Sequence, residues 1–121
     1  PGNNQPVFSN DFLRNESFFL IAKHNGNIVG CGGIIAKKPC WAEIKRMYVK
    51  PDYRLNKIGS SLLDGLIQWS VNKKIYIVRL ETGIYQPEAI ALYEKYDFHT
   101  IECFEGYKKN PYSLFYEKNL S

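Results

Sequence analysis

The sequence predicts a mixed α/β (α+β) fold with elements in the order βββαβαββ, and three observations carry it. Runs rich in β-branched and aromatic residues recur between clusters of Gly, Pro and Asn. The stretch 58–71 places Ile58, Leu62, Leu66 and Trp69 at helical intervals, with Leu63 and Ile67 beside them. The unit 41–81 reads strand–helix–strand, which calls for parallel strands joined by a right-handed crossover.

Taken in order, residues 1–10 are polar, rich in Gly, Pro and Asn, and read as loop. Phe18 to Lys23 is a short apolar run that reads as a strand. His24-Asn25-Gly26-Asn27 supplies a tight turn, because Asn-Gly tolerates the positive φ angles of a hairpin. Ile28 to Ala36 returns as the partner strand, where Gly30, Gly32 and Gly33 predict a bulge or a close backbone approach. After Lys37-Lys38-Pro39 the third strand spans about Trp41 to Val49. The helix Ile58 to Val71 follows, then a β-branched strand from Ile75 to Glu81. Pro87 suits a first helical turn, and Ala89, Ile90, Tyr93 and Tyr96 continue that helix. Phe98 to Phe104 and Tyr112 to Lys118 close the chain as two strands joined through Gly106 and an Asn110-Pro111 turn.

A chain of 121 residues, 45% hydrophobic and 15% aromatic, is expected to form one domain over 1–121. It contains no run of about 18 apolar residues, so no membrane-spanning helix is expected. The segment Pro1 to Pro6 lacks the basic and apolar regions of a signal peptide. Cys31, Cys40 and Cys103 are odd in number and lack metal-ligand spacing, which predicts free thiols in a reducing, cytoplasmic setting. His24 and His99 show no metal spacing either, and no metal is expected. The net charge is only +4, yet Lys45, Arg46, Lys50, Arg54 and Lys57 crowd together with Asp52 alone opposing them. That clustering points to an anionic ligand near one turn, the alternative being a solvated positive face. The turn itself, 51–63, is basic, carries Gly59, and leads from a strand into the free N–H groups of a helix, which suits phosphate oxygens.

From about Phe18 to Leu120 the chain resembles the GCN5-related N-acetyltransferase (GNAT) superfamily. That family's phosphate loop follows (Arg/Gln)-x-x-Gly-x-(Gly/Ala), and Arg54-Leu55-Asn56-Lys57-Ile58-Gly59 occupies it, with Lys57 replacing the first glycine. The stretch from Gln86 to Phe98 is similar to the family's later helix and the turn after it, which usually ends Gly-Phe; here it ends Asp97-Phe98. The resemblance implies a GNAT-like mixed β-sheet flanked by helices, with the family's first strand and helix absent ahead of Phe18. Residues 1–17 are then a loop or a remnant of that N-terminal helical region, in a shortened or naturally short member.

The resemblance also implies acetyl-coenzyme A as co-substrate and transfer of its acetyl group to a primary amine of a small molecule or peptide. Met47, Tyr48 and Val49 match the strand that pairs with the amide-rich arm of coenzyme A. Backbone N–H groups from Asn56 to Ser61, the fork of Arg54, and the hydroxyls of Ser60 and Ser61 are suited to the pyrophosphate, with Leu55, Lys57, Ile58 and Gly59 shaping the same turn. Lys57 must either avoid positive φ or accept strain.

Tyr93 matches the family tyrosine that protonates the departing thiolate. A thiol near 8.5 and a tyrosine near about 10 are close enough for that transfer. The alternative is a packed aromatic on a helical stripe. Glu43 lies where some members keep a catalytic glutamate, and a base is needed because an alkylamine with pKa about 10.4 is protonated at pH 7. Glu43 is equally placed to pair with Lys45, and Glu81 or a water is the other candidate base. Direct attack by the amine is expected, because no cysteine has a neighbouring His or a helix-start position. Tyr85, Phe104, Tyr107 and Tyr112 match regions bordering the acceptor cleft, or are core and hairpin packing.

Two other readings compete. Lys57, Asp97 and the short front end fit a coenzyme-A-binding module with weak or no turnover. Strand aromatics such as Tyr48 and Tyr76 fit a nucleic-acid binder, against which the charge gathers at one turn and no aromatic RNA-binding strand motif is present, so no nucleic-acid partner is expected. An exposed edge strand makes a homodimer the expected oligomer.

Overall fold

The structure, a computed structural model, describes residues 16–37, 40–54 and 57–121. Strands β1 (Ser17–His24), β2 (Asn27–Lys37) and β3 (Trp41–Val49) lead through a 3-10 turn (Pro51–Tyr53) into helix α1 (Ile58–Asn72). Strand β4 (Ile77–Gly83), helix α2 (Pro87–Lys95), strand β5 (His99–Ile101) and strand β6 (Ser113–Asn119) follow. The order βββαβαββ is therefore present. One sheet runs β1-β2-β3-β4-β6-β5, with β3 and β4 parallel and every other neighbouring pair antiparallel.

Asn25 (φ 50) and Gly26 (φ 83) both take left-handed backbone between β1 and β2, as a two-residue hairpin turn requires. The expected irregularity in β2 is also present. Its register with β3 slips between Gly33 and Ile34, so Lys45 is the extra residue on β3. At Gly30 a Cβ would meet the Tyr48 carbonyl oxygen at 2.9 Å, so β2 lies too close to β3 there for any side chain.

Both helices cover one sheet face. Leu63 and Leu66 of α1 and Tyr93 of α2 share a buried cluster with Ile34, Ala42, Ile44, Val78, Leu80 and Tyr116. By strand alternation Trp41 and Glu43 point to the opposite face, where Trp41, Phe104 and Phe115 form a second cluster. Phe104 meets Trp41 edge-on at 5.4 Å and Phe115 at 5.7 Å.

Three boundaries depart from the sequence expectation by two residues or more. The expected strand 98–104 is cut to His99–Ile101, because Phe104 leaves the ladder to pack over that second face. The expected strand start at Ile75 moves to Ile77, since Lys74 (φ 62) ends α1 left-handed and the Ile75 N–H bonds back to the Ser70 carbonyl at 2.8 Å. The same strand runs on past Glu81, because its ladder with β6 continues to Gly83↔Ser113.

Candidate active site

The parallel ladder between β3 and β4 is short. It runs from Trp41↔Ile77 to Ile44↔Leu80, after which β3 continues to Val49 and β4 to Gly83 without pairing to each other. The two strands splay at their carboxyl ends, where open α/β sheets place ligands. Beside the splay lies a cavity of about 150 Å³, lined by Met47, Tyr48 and Val49 of β3, Arg54, Lys57, Gly59 and Ser60 of the turn and α1, and Gln86, Glu88, Ala89, Leu92 and Tyr93 of α2. Met47, Tyr48, Val49, Arg54, Lys57, Gly59, Ser60 and Tyr93 were expected from sequence and are brought together here. Leu55 and Asn56 lie outside the described residues. Ile58 and Ser61 stand in the first turn of α1 but not on the cavity wall. The four other lining residues of α2 went unread as site residues; their spacing from Gln86 through Ala89 to Tyr93 is the helical stripe that would have found them.

The turn is held from both sides. Arg54 donates through Nε to the Val49 carbonyl at 2.9 Å, and its Nη1 lies 3.8 Å from Glu88 at the start of α2. Lys57 sits at φ 62, ψ 17 as the N-cap of α1, with no side-chain cap, and the first N–H groups of the helix precede the first internal bond, Ser61 N–H to Lys57 carbonyl at 3.1 Å. Such groups satisfy an incoming anion. Lys57 thus accepts the left-handed strain, about 1–2 kcal/mol for a residue with a Cβ. Asp97, at the second departure from glycine, also has positive φ (65). It closes α2 in a Schellman motif: Phe98 N–H bonds to the Tyr93 carbonyl at 3.0 Å, Asp97 N–H to the Glu94 carbonyl at 3.0 Å, and the Phe98 ring meets Tyr93 at 5.7 Å. Gly59 has a packing reason of its own, since a Cβ there would lie 3.2 Å from Leu92 of α2.

Tyr93 is 4% exposed and reaches the cavity wall. Among the described residues its hydroxyl has no hydrogen-bond partner. A buried hydroxyl without a partner is costly, so this one suits a ligand atom that completes it. Burial pushes its pKa well above the ordinary tyrosine value, which makes the hydroxyl a weaker proton donor than an exposed tyrosine.

Glu43 lies on the other face, one residue before the ladder ends. It is 2% exposed. Its Oε2 accepts the Tyr107 hydroxyl and lies 3.6 Å from Lys45 Nζ, while Oε1 lies 3.9 Å from Lys37 Nζ. The Lys45 pairing weighed against the base role is therefore present, and Tyr107 joins it. Glu81 accepts from Ser113 on the same face. Tyr85 and Tyr112 are exposed, whereas Phe104 is core. Cys31 and Cys103 are half-buried and Cys40 is exposed, all as free thiols; burial raises the Cys31 thiol, with Arg46 opposing.

A family model described as Acetyltransferase (GNAT) family matches residues 2–98. An IAA acetyltransferase of Azospirillum brasilense is 41% identical over 103 residues, covering 84% of this chain and 67% of that protein. A GNAT-family acetyltransferase structure from Staphylococcus aureus superposes with a TM-score of 0.82 at 29% identity, over 93% of this chain and 73% of the other. The PaiA N-acetyltransferase of Thermoplasma acidophilum, solved in complex with coenzyme A, shares the fold at TM-score 0.76 and 23% identity, over 91% of this chain and 67% of that one.

Proposed function

Because this chain belongs to the acetyltransferase (GNAT) family and is an N-acetyltransferase, we propose that it moves an acetyl group from acetyl-coenzyme A to a primary amine of a small molecule or peptide by direct attack. The observation that carries this reading is the cavity beside the β3–β4 splay, which joins a basic turn and a helix N-terminus at one end to the Tyr93 hydroxyl, unpartnered among the described residues. A carrier with a diphosphate and an extended arm fits that sequence of groups. Arg54, Lys57 and the first N–H groups of α1 would hold the diphosphate, and Met47 to Val49 would pair with the arm.

The co-substrate supplies an acetyl thioester. Tyr93 holds its proton for the sulfur that departs, and Glu43 receives the proton that the ammonium form of the acceptor must lose. The two stand on opposite faces of the sheet, with Glu43 one residue before the end of the β3–β4 ladder, and the reacting carbon would sit beyond that end, where the strands part. Positioning in that gap accounts for most of the acceleration expected of such a site. A homodimer through β1, which has β2 as its single described neighbour, is part of the same proposal.

Calorimetric titration with acetyl-coenzyme A, followed by thiol release on addition of an amine panel, tests the reading. Binding with thiol release supports it. Binding without release across the panel would assign the chain as a coenzyme-A module instead, and no binding would refute both.

A further inference from the structure

We propose that Glu43 takes its proton through Tyr107, whose hydroxyl oxygen meets the acceptor ammonium and whose own proton passes inward. The inference rests on the reading of Glu43 as base and deepens it. Among the described residues three groups touch the Glu43 carboxylate: Lys37 Nζ, Lys45 Nζ and the Tyr107 hydroxyl. The two ammonium groups have no lone pair, so neither is able to accept a proton. Only the phenolic oxygen both donates to the carboxylate and is able to accept from an amine.

The placement agrees. Tyr107 lies in the connection between β5 and β6 and packs on Phe104 at 4.9 Å and on Phe115 of β6 at 5.6 Å. Its hydroxyl nevertheless reaches Glu43 on β3, so the side chain spans β4, which lies between those strands, where the β3–β4 ladder is about to end. Tyr107 is half-buried while Glu43 is 2% exposed, so the tyrosine is the member of the pair that meets solvent. Lys45 Nζ donates to the same oxygen at 3.2 Å, which occupies one lone pair and leaves the second. Burial, then the hydrogen bond to Glu43, raises the hydroxyl above its ordinary value, with Lys45 opposing. The group therefore rests protonated and conducts a proton only by exchange.

The step balances. One N–H bond of the ammonium breaks as its proton bonds to Tyr107 Oη, while the original Tyr107 proton bonds to Glu43 Oε2. The amine is left with a lone pair, Tyr107 is neutral as before, and Glu43 is a neutral acid; after product release its proton passes to Tyr107 Oη as the Tyr107 proton leaves to solvent water.

Acetyl transfer to benzylamine, protonated at pH 7, and to phenylhydrazine, neutral there, tests the relay. Tyr107→Phe keeps the ring packing but removes the hydrogen bond to the buried Glu43 carboxylate, so the melting temperature should fall by several degrees while the calorimetric Kd for acetyl-coenzyme A should not change. It should lower kcat/KM for benzylamine by about 10²-fold or more and leave phenylhydrazine nearly unaffected. Added to Glu43→Gln, it should cost nothing further, because the two act as one unit. Independent effects, or equal losses with both amines, would overturn the relay. A Glu43→Gln loss with a fully active Tyr107→Phe overturns the relay and spares the base reading. A fully active Glu43→Gln overturns the base reading itself, and absence of benzylamine turnover by the unaltered protein counts against both.

Discussion

Arg54 turns back on the strand that precedes it, its Nε donating to the Val49 carbonyl at 2.9 Å. One side chain thereby ties the end of β3 to the turn before α1 and fixes the direction in which its remaining donors point. Those donors face Glu88, 3.8 Å away on α2, so an anion entering the turn competes with a carboxylate for the same fork.

Arg54→Ala and Glu88→Gln should therefore move acetyl-coenzyme A affinity in opposite directions. Losing a charge-assisted donor pair costs about 1.5–3 kcal/mol, which is roughly a 10- to 100-fold weaker Kd. Glu88 is exposed and its pairing correspondingly weak, about 0.2–1 kcal/mol, so its removal should tighten binding by no more than about fivefold. Titration calorimetry at low and high salt checks both. Weaker binding by Glu88→Gln would contradict the competition.

Lys57→Gly should stabilise the protein and weaken its ligand. A left-handed lysine costs about 1–2 kcal/mol, of which the larger unfolded-state entropy of glycine takes back about 0.5–1. A rise of a few degrees in melting temperature is expected, with a modest loss in acetyl-coenzyme A affinity because the ammonium leaves the cavity wall. A fall in melting temperature would show that the lysine side chain, not the backbone, decides this position.

Tyr93→Phe should leave folding and acetyl-coenzyme A binding intact and lower kcat by about 10²–10⁴-fold, the usual worth of a positioned acid. Its hydroxyl has no partner among the described residues, so removing it breaks no internal bond. The informative pair of measurements is the melting curve with single-turnover thiol release. Full turnover by the variant would retire the acid role.

Alkaline pH should destabilise the fold in part through Tyr116. Burial first, then the hydrogen bond to Glu94 at 2.8 Å, raises the Tyr116 hydroxyl to about 12. Unfolded tyrosine ionises near about 10, so the stabilisation is complete below that value and drains as pH rises toward about 12. Melting temperatures from pH 9 to 12 should fall less steeply for Tyr116→Phe than for the parent chain.

Much of this was legible in the chain itself. Local periodicity and turn chemistry act over neighbours, so the hairpin at Asn25-Gly26, the α1 stripe through Leu62 and Leu66, and the Pro87 helix start could be read directly. The basic turn was equally visible, because Arg54 and Gly59 belong to one short continuous segment. Strand ends were not, since competing contacts set them: Phe104 left β5 for Trp41, and the Ile75 N–H turned back to the Ser70 carbonyl at the end of α1.

The sequence by itself determined the element order, the crossover and the basic turn, all consequences of residues within a few positions of one another. The tertiary structure alone decided that β3 and β4 part after Ile44↔Leu80, that the Tyr93 hydroxyl meets no hydrogen-bond partner among the described residues, and that Glu43 lies behind Tyr107, 64 residues away. Burial and hydrogen bonding between distant segments depend on how the sheet closes, and no local pattern records them.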